Sequence, residues 1–202
     1  MSLWRANYPL ILASQSRARQ TMLANAGIAF EAVAAEIDER AVQQASSLSA
    51  PGDIAALLAR EKALPVSARQ PGRFVMGADQ TLALGERLFS KPSSRAQAAE
   101  QLRALDGRSH QLHSAVAVAR DGKILFESAD MARMTMRRLG EAEIAAYLNE
   151  VGPAVTTSVG AYQLEGLGVH LFERIEGDHF TILGLPLLPL LAFLRSERLL
   201  AV

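Results

Sequence analysis

Residues 10–26 read LILASQSRARQTMLANA, and this stretch predicts the local unit from which the fold is built. Residues 10–13 are apolar in succession, as expected for a short buried strand. Ser16 occupies the position of a helix N-cap, the following residues predict a helix to Ala26, and Gly27 ends it. A strand that passes directly into a helix is typical of α/β proteins.

Strands and helices continue to alternate along the chain. Residues 74–78 predict a short strand that ends at Asp79, and residues 54–67 predict a helix that Pro65 cuts short. The strand-like runs 109–119 and 123–137 are joined by Asp121-Gly122, a strong hairpin signal. Further helices are expected over 95–105, 141–150 and 187–198. We therefore expect an α/β fold with a mixed sheet flanked by helices.

The composition excludes several classes of function. The 202 residues carry 21 Lys and Arg and 21 Asp and Glu, and a formal net charge of zero argues against a dedicated nucleic-acid-binding protein. The absence of cysteine excludes a disulfide framework, a thiolate nucleophile and a thiolate zinc site. The apolar stretch 183–194 contains two prolines and is too short for a membrane span, so we expect a cytoplasmic protein without a membrane partner.

The turn between the first strand and the first helix is a candidate anion site. Ser14, Ser16, Arg17 and Arg19 stand at a predicted helix N-terminus, where free backbone N–H groups and the positive end of the helix dipole meet. Two hydroxyls and two guanidiniums there suit phosphate oxygens. The alternative is a capping serine followed by solvated arginines, and this segment alone favours that alternative.

Two acidic positions are candidates for metal binding or water activation. Glu36, Asp38 and Glu39 follow a predicted strand, and carboxylate oxygens suit Mg²⁺ together with substrate phosphates. Asp79 follows another strand, where it could activate a water molecule or hold a metal. A polar loop and a turn aspartate are the alternatives for the two positions.

Basic and glycine-rich positions complete the candidate set. Lys62 and Lys91 are two of only three lysines in the chain, and an ammonium group is a good point-charge partner for phosphate. Residues 160–168 contain three glycines and Tyr162, which suits close backbone approach and stacking on a base, or simply a tight connection around a packed aromatic ring. His110 and His113 are expected on opposite faces of a strand, in structural or exposed roles.

Taken together and in order, these segments resemble the Maf family of nucleotide pyrophosphatases over residues 10–194. Eight segments match the family in residue identity and in their order along the chain. They are LASQS at 12–16, IDE at 37–39, REKA at 60–63, GAD at 77–79, SKP at 90–92, GAY at 160–162, ERIEGD at 173–178 and GLPL at 184–187. The resemblance implies one domain over residues 1–202, with an elongated mixed sheet and two lobes separated by a cleft.

The resemblance also implies an activity and roles for individual residues. It implies cleavage of a nucleoside triphosphate between the α- and β-phosphates, with a divalent cation such as Mg²⁺ or Mn²⁺, and it suggests a homodimer. Asp79 resembles the family's proton acceptor and Glu39 its metal- or water-handling carboxylate. Ser14, Ser16 and Arg19 resemble its phosphate-binding turn, and Lys62 and Lys91 the lysines that face the triphosphate.

One segment departs from the family pattern. The family often has Ser-Pro-Arg-Arg where this chain has Ser16-Arg17-Ala18-Arg19, so that the proline and the first arginine are replaced. A shift of one residue turns a helical side chain by about 100°, so Arg17 does not stand where the lost arginine stood. The departure leaves open a weakened or redirected activity.

The substrate expectation rests on two further positions. Gln80 and Glu165 resemble the branch of the family that acts on 7-methyl-GTP rather than the dTTP/UTP branch. A carboxylate at Glu165 could accept hydrogen bonds from a guanine edge and favour a cationic methylated purine. The alternatives are a dTTP/UTP pyrophosphatase and a nucleotide-binding regulator of cell division without turnover.

Overall fold

A computed structural model describes residues 3–202. Seven strands form one sheet: β1 (Leu10–Leu12), β2 (Phe30–Ala32), β3 (Val75–Leu84), β4 (Arg87–Phe89), β5 (Ser109–Arg120), β6 (Lys123–Met136) and β7 (Phe172–Glu176). The helices are α1 (Arg17–Asn25), α2 (Glu39–Ala45), α3 (Pro51–Arg69), α4 (Arg95–Leu105), α5 (Glu141–Val151), α6 (His179–Ile182) and α7 (Leu187–Ser196). Short 3-10 turns at Gly152–Thr156, Val159–Ala161 and Leu167–Leu171 connect α5 to β7.

The sheet is mixed, as the sequence predicts. Its strand order is β2-β1-β3-β5-β6-β7, and β4 pairs with the far end of β3. β1 is parallel to β2 and β3, whereas β3, β5, β6 and β7 pair antiparallel in succession. The parallel part therefore holds the predicted strand–helix unit, and the long antiparallel part holds the predicted hairpin.

Helices cover both faces of the sheet around β3. On one face, small residues of α3 pack against alanines of β5. This cluster contains Ala55, Ala59 and Ala63 of α3 and Ala115, Ala117 and Ala119 of β5. On the opposite face, α1 and α7 pack against Met76, Ala78, Val116 and Val118. A separate core surrounds Leu82, Leu112 and Met134 and is closed by α4, α5 and Tyr162.

Two local expectations are wrong. α3 continues through Pro65 to Arg69, because Ala63 and Val66 on either side of the proline are fully buried and hold the helix on the sheet. The loss of one backbone N–H is therefore outweighed by packing. β3 does not end at Asp79, because its antiparallel pairing with β5 continues to Ala83.

No helix of residues 3–202 is long and apolar enough to cross a membrane.

Candidate active site

The close approach of α3 to β3 places the first charged pair of the site. Gly77 lies in β3, and a Cβ atom there would stand 2.1 Å from the carbonyl oxygen of Ala59 and 2.7 Å from the amide nitrogen of Ala63. Only a glycine allows α3 to lie this near the strand. Asp79 is two residues further along, so its side chain points to the same face, toward α3.

Lys62 of α3 reaches across this contact and binds two carboxylates. Its Nζ atom lies 2.6 Å from Oδ1 of Asp79 and 2.7 Å from Oε1 of Glu39, the first residue of α2. The side chains of Lys62 and Asp79 are only 9% and 10% exposed, whereas that of Glu39 is 53% exposed. The cluster thus has a buried pair on rigid elements and an outer carboxylate that faces solvent.

Asp79 has the electrostatic setting of a proton acceptor. Burial raises the pKa of Asp79 above its ordinary value, while the charges of Lys62 and Arg19 oppose that shift. A carboxylate whose pKa is raised but which keeps cationic neighbours can be ionised and still accept a proton.

The N-terminus of α1 lies beside this pair. Ser16 is the N-cap, and its Oγ accepts a hydrogen bond from the amide of Arg19. Oγ of Ser14 accepts from the amide of Ser16 at 3.3 Å and from Nη1 of Arg19 at 3.2 Å. Because both bonds use the oxygen of Ser14 as acceptor, its hydroxyl proton remains available to an anion.

Arg19 is buried and held by backbone carbonyls. Its Nε donates to the carbonyl oxygen of Gly184 at 2.8 Å, and its Nη1 donates to that of Ala78 at 2.9 Å. Gly184 has a φ of 97°, and a Cβ there would approach Nη2 of Arg19 to 3.4 Å. Arg19 is therefore held in one orientation by the protein, and among the described residues its Nη2 has no hydrogen-bond acceptor.

The segment that carries Gly184 is itself fastened to the sheet. The carbonyl oxygen of Thr181 accepts from Oγ of Ser114 at 2.7 Å and from Nε2 of Gln80 at 3.2 Å. The hydroxyl of Thr181 donates to Asp130 at 2.8 Å, and Asp178 caps α6 through the amide of Thr181. The amide nitrogen of Gln80 is committed to the protein, so any contact with a substrate falls to its Oε1.

The structure brings together six of the residues singled out in the sequence. These six share the region where β1 ends, α1 begins and α3 crosses β3: Ser14, Ser16, Arg19, Glu39, Lys62 and Asp79. Gln80 lies on the opposite face of β3 from Asp79 and contacts α6.

Three other candidates lie outside this cluster. Lys91 follows β4 and Glu165 lies in the glycine segment, and both side chains are exposed. Within residues 3–202, no hydrogen bond or ion pair joins either of them to Lys62 or Asp79. Arg17 is exposed at the first position of α1.

The glycine segment shapes a separate cavity. Tyr147, Glu150, Tyr162 and Gln163 are among the residues that line a space of about 250 Å³. Behind it, the hydroxyl of Tyr162 lies 2.7 Å from Nε2 of His110, which is 1% exposed. The expectation of a structural role for His110 is thereby confirmed, and His113 lies beside Gln111 on the other face.

Two acidic residues of the site, Asp79 and Glu39, are placed so that they could bind a divalent cation together with other oxygen ligands. Within the part of the chain that the structure describes, no group of three His, Asp or Glu side chains is arranged to hold a metal. Asp79 and Glu39 do converge on one point, and Mg²⁺ is commonly held by one or two carboxylates with phosphate and water oxygens. The donor set therefore fits a cation that arrives with a phosphate ligand.

Sequence reasoning named the segment of Gly77 without giving the glycine a role, and it missed Ser114 and Thr181. Gly77 and Ser114 each interrupt an apolar strand, and an isolated glycine in a strand is a known sign of close backbone approach. Asp178, three residues before Thr181, is a recognisable N-cap for the short helix α6. The fastening of α6 to Gln80 depends on contacts between residues about 100 positions apart, which local patterns do not reveal.

Comparison with known proteins agrees with the resemblance. The family model described as Maf-like protein matches residues 9–197. A protein of Bradyrhizobium diazoefficiens named nucleoside triphosphate pyrophosphatase is 71% identical over 202 residues, which is 100% of both chains. A protein of Brucella abortus named 7-methyl-GTP pyrophosphatase is 51% identical over 191 residues, covering 94% of this chain and 96% of its own.

A solved HAM1 protein from Coxiella burnetii overlaps 64% of this chain and 73% of its own, with a TM-score of 0.41 and 16% identity. The family match spans nearly the whole sequence, and the chain belongs to the Maf family.

Proposed function

We propose that this member of the Maf family, a nucleoside triphosphate pyrophosphatase, acts on a modified purine nucleotide such as 7-methyl-GTP and releases the monophosphate and pyrophosphate. The observation that supports it best is the buried Asp79–Lys62 pair beside the N-terminus of α1. A proton acceptor, an ammonium group and a set of anion-binding donors then lie in one place. The named relatives at 71% and 51% identity support the reaction and the substrate class respectively.

In this proposal, Asp79 accepts the proton of the attacking water. The water oxygen forms a bond to the α-phosphorus, the bond from that phosphorus to the bridging oxygen of the β-phosphate breaks, and pyrophosphate leaves with the electron pair. Position and charge stabilisation supply most of the rate enhancement in such reactions. The raised pKa of Asp79 suits proton acceptance, and its place in β3 suits the positioning of the attacking water.

The N-terminus of α1 would bind the phosphates. The hydroxyl proton of Ser14 and the first amides of the helix would donate to phosphate oxygens, and the guanidinium of Arg19 would add positive charge beside them. The replaced proline and arginine at Arg17 and Ala18 leave this arrangement intact, because Ser16 still caps the helix and Arg19 is still buried. Lys91, exposed after β4, would reach the phosphates from the other side of the cleft.

A divalent cation would be held by Asp79 and Glu39. When bound, it would neutralise charge on the triphosphate oxygens and so make the α-phosphorus a better target for attack. Glu39 is suited to follow such a cation, because it stands on the first turn of the short surface helix α2. Asp79 is suited to fix its position, because it is buried in a strand that pairs on both sides.

The preference for a modified purine rests on the second half of the molecule. Glu165 is exposed in the glycine segment, beside the cavity lined by Tyr147 and Tyr162. A carboxylate and aromatic faces together attract a base that carries a positive charge, as 7-methylguanine does. We propose that the two cores, around α3 and α7 and around Tyr162, form the two lobes between which the nucleotide lies, and that the chain functions in the cytoplasm as a homodimer.

The test is a substrate panel of 7-methyl-GTP, GTP, ITP, CTP, dTTP and UTP, each with Mg²⁺ or Mn²⁺ and with chelator. We expect metal-dependent pyrophosphate release that is fastest with 7-methyl-GTP. Fastest release from dTTP and UTP would replace the substrate assignment and keep the reaction. Binding of nucleotides by the folded protein without release from any of them would instead support the regulator of cell division.

A further inference from the structure

Lys62 occupies the point on which both acidic residues of the site converge. Its Nζ is bound to Asp79 at 2.6 Å and to Glu39 at 2.7 Å, and its side chain is 9% exposed. We propose that Lys62 stands in for the divalent cation in the free protein, and that Asp79 and Glu39 become available to metal only when a triphosphate draws Lys62 away. The nucleotide part of this inference rests on the proposed function.

The charges of the buried site support an exchange rather than an addition. Lys62 and Arg19 carry two positive charges, and Asp79 and Glu39 carry two negative ones. A divalent cation added to the free protein would leave an excess positive charge in a poorly hydrated place, which is costly. A cation that arrives together with a triphosphate brings its own negative charge and avoids that cost.

The geometry of Lys62 supports the same exchange. An ammonium group has three N–H donors, and only two of them are used by Asp79 and Glu39. The third can first meet a phosphate oxygen, after which the flexible side chain can transfer its remaining bonds. Asp79 lies in the buried strand β3 and Glu39 at the exposed start of α2, and both already converge on the position of Nζ, so the two carboxylates need little rearrangement to accept a cation there.

Two consequences follow for binding. The free protein takes up divalent cations weakly, and the affinity for cation and for nucleotide rises when the other is present, because linkage is reciprocal. Removing the ammonium group without removing the carboxylates turns the same position into a cation site in the free protein.

The experiment measures Mn²⁺ binding by electron paramagnetic resonance in the free protein, at mildly alkaline pH where carboxylates are ionised. We compare wild type with Lys62→Met, and with Lys62→Arg and Lys123→Met as matched controls that keep a cation at the site or remove one elsewhere. Lys62→Met is expected to bind Mn²⁺ at least about tenfold more tightly than the other three. Adding Glu39→Gln to Lys62→Met should abolish the gain.

Tight Mn²⁺ binding by the free wild type, or no gain in a folded Lys62→Met protein, would overturn the inference. If Lys62→Met does not fold, wild type alone decides: the Mn²⁺ bound to the protein, after subtraction of the Mn²⁺ that the free nucleotide binds, must increase when a non-hydrolysable α,β-methylene triphosphate is added at a concentration at which it is shown to bind the protein. Equal Mn²⁺ binding with and without that nucleotide contradicts the exchange. Because these measurements do not use turnover, they are read separately from the substrate panel, whose failure would count against the proposed function alone.

Discussion

Two buried polar pairs lie in different halves of this molecule and differ in every property that matters for chemistry. Lys62 and Asp79 carry opposite charges, bind at 2.6 Å and connect to solvent through Glu39. His110 and Tyr162 bind at 2.7 Å but are neutral and enclosed by Phe172. The first pair lies where α3 crosses β3, and the second lies inside the core closed by α4 and α5.

The comparison distinguishes a buried polar pair suited to catalysis from one that stabilises packing. A buried ion pair is expensive to desolvate and adds little stability compared with apolar residues, so its presence calls for a functional reason. A neutral pair costs less and fixes the packing of two aromatic rings. The sequence leaves two roles open for Tyr162, stacking on a base or packing in a tight connection. In the structure its hydroxyl bonds with His110, and it is also among the residues that line the cavity.

The neutral pair should make stability depend on pH. Burial lowers the pKa of His110 from 6.5 to about 4, so the unfolded chain takes up a proton in this interval and the folded protein does not. The stabilisation is complete above the unfolded pKa and is lost as the pH falls toward the folded pKa. The free energy of unfolding should drop by about 3 kcal/mol over this range from His110 alone.

Urea unfolding of wild type and His110→Leu between these two pH values measures that effect. The variant is less stable overall, because Tyr162 loses its partner, but its pH dependence should be flatter than that of wild type. The same slope in both proteins would show that His110 is not kept neutral, and the contrast between the two pairs would disappear.

The close approach of α3 is the feature on which the charged pair depends. Gly77→Ala would set a Cβ against the backbone of Ala59 and Ala63, and α3 must shift outward, at a cost of about 1–3 kcal/mol. The shift moves Lys62 away from Asp79, so turnover should fall in the fully folded variant. Gly140→Ala, whose Cβ meets no atom within 4 Å, is the matched control and should keep its turnover. Wild-type turnover in folded Gly77→Ala would argue against the role of this contact.

Local patterns were sufficient for most of the helices and strands. The strand–helix unit at residues 10–25, α4 and the hairpin of β5 and β6 follow from apolar periodicity, caps and the Asp121-Gly122 turn. The continuation of α3 through Pro65 does not follow from local patterns, because burial of the helix against the sheet outweighs the tendency of proline to end a helix. The length of β3 beyond Asp79 likewise depends on pairing with a strand about 35 residues later.

The arrangement of the site required the tertiary structure. The family resemblance predicts roles for Ser14, Lys62 and Asp79, but it did not predict that Lys62 bridges two carboxylates. Spacing along a chain does not determine which charges meet across a helix–strand contact. The fastening of Gly184 and Arg19 through Thr181 is another long-range effect of this kind.

We propose that Asp79 accepts the proton during nucleoside triphosphate hydrolysis, and the variant Asp79→Asn removes this capacity. An amide keeps the size of the side chain but cannot accept the proton, so pyrophosphate release should fall about 10²- to 10⁴-fold. Nucleotide binding without added cation should change little, and Gly140→Ala, whose Cβ meets no atom within 4 Å, should keep its turnover. A folded Asp79→Asn protein that releases pyrophosphate at the wild-type rate would contradict the account.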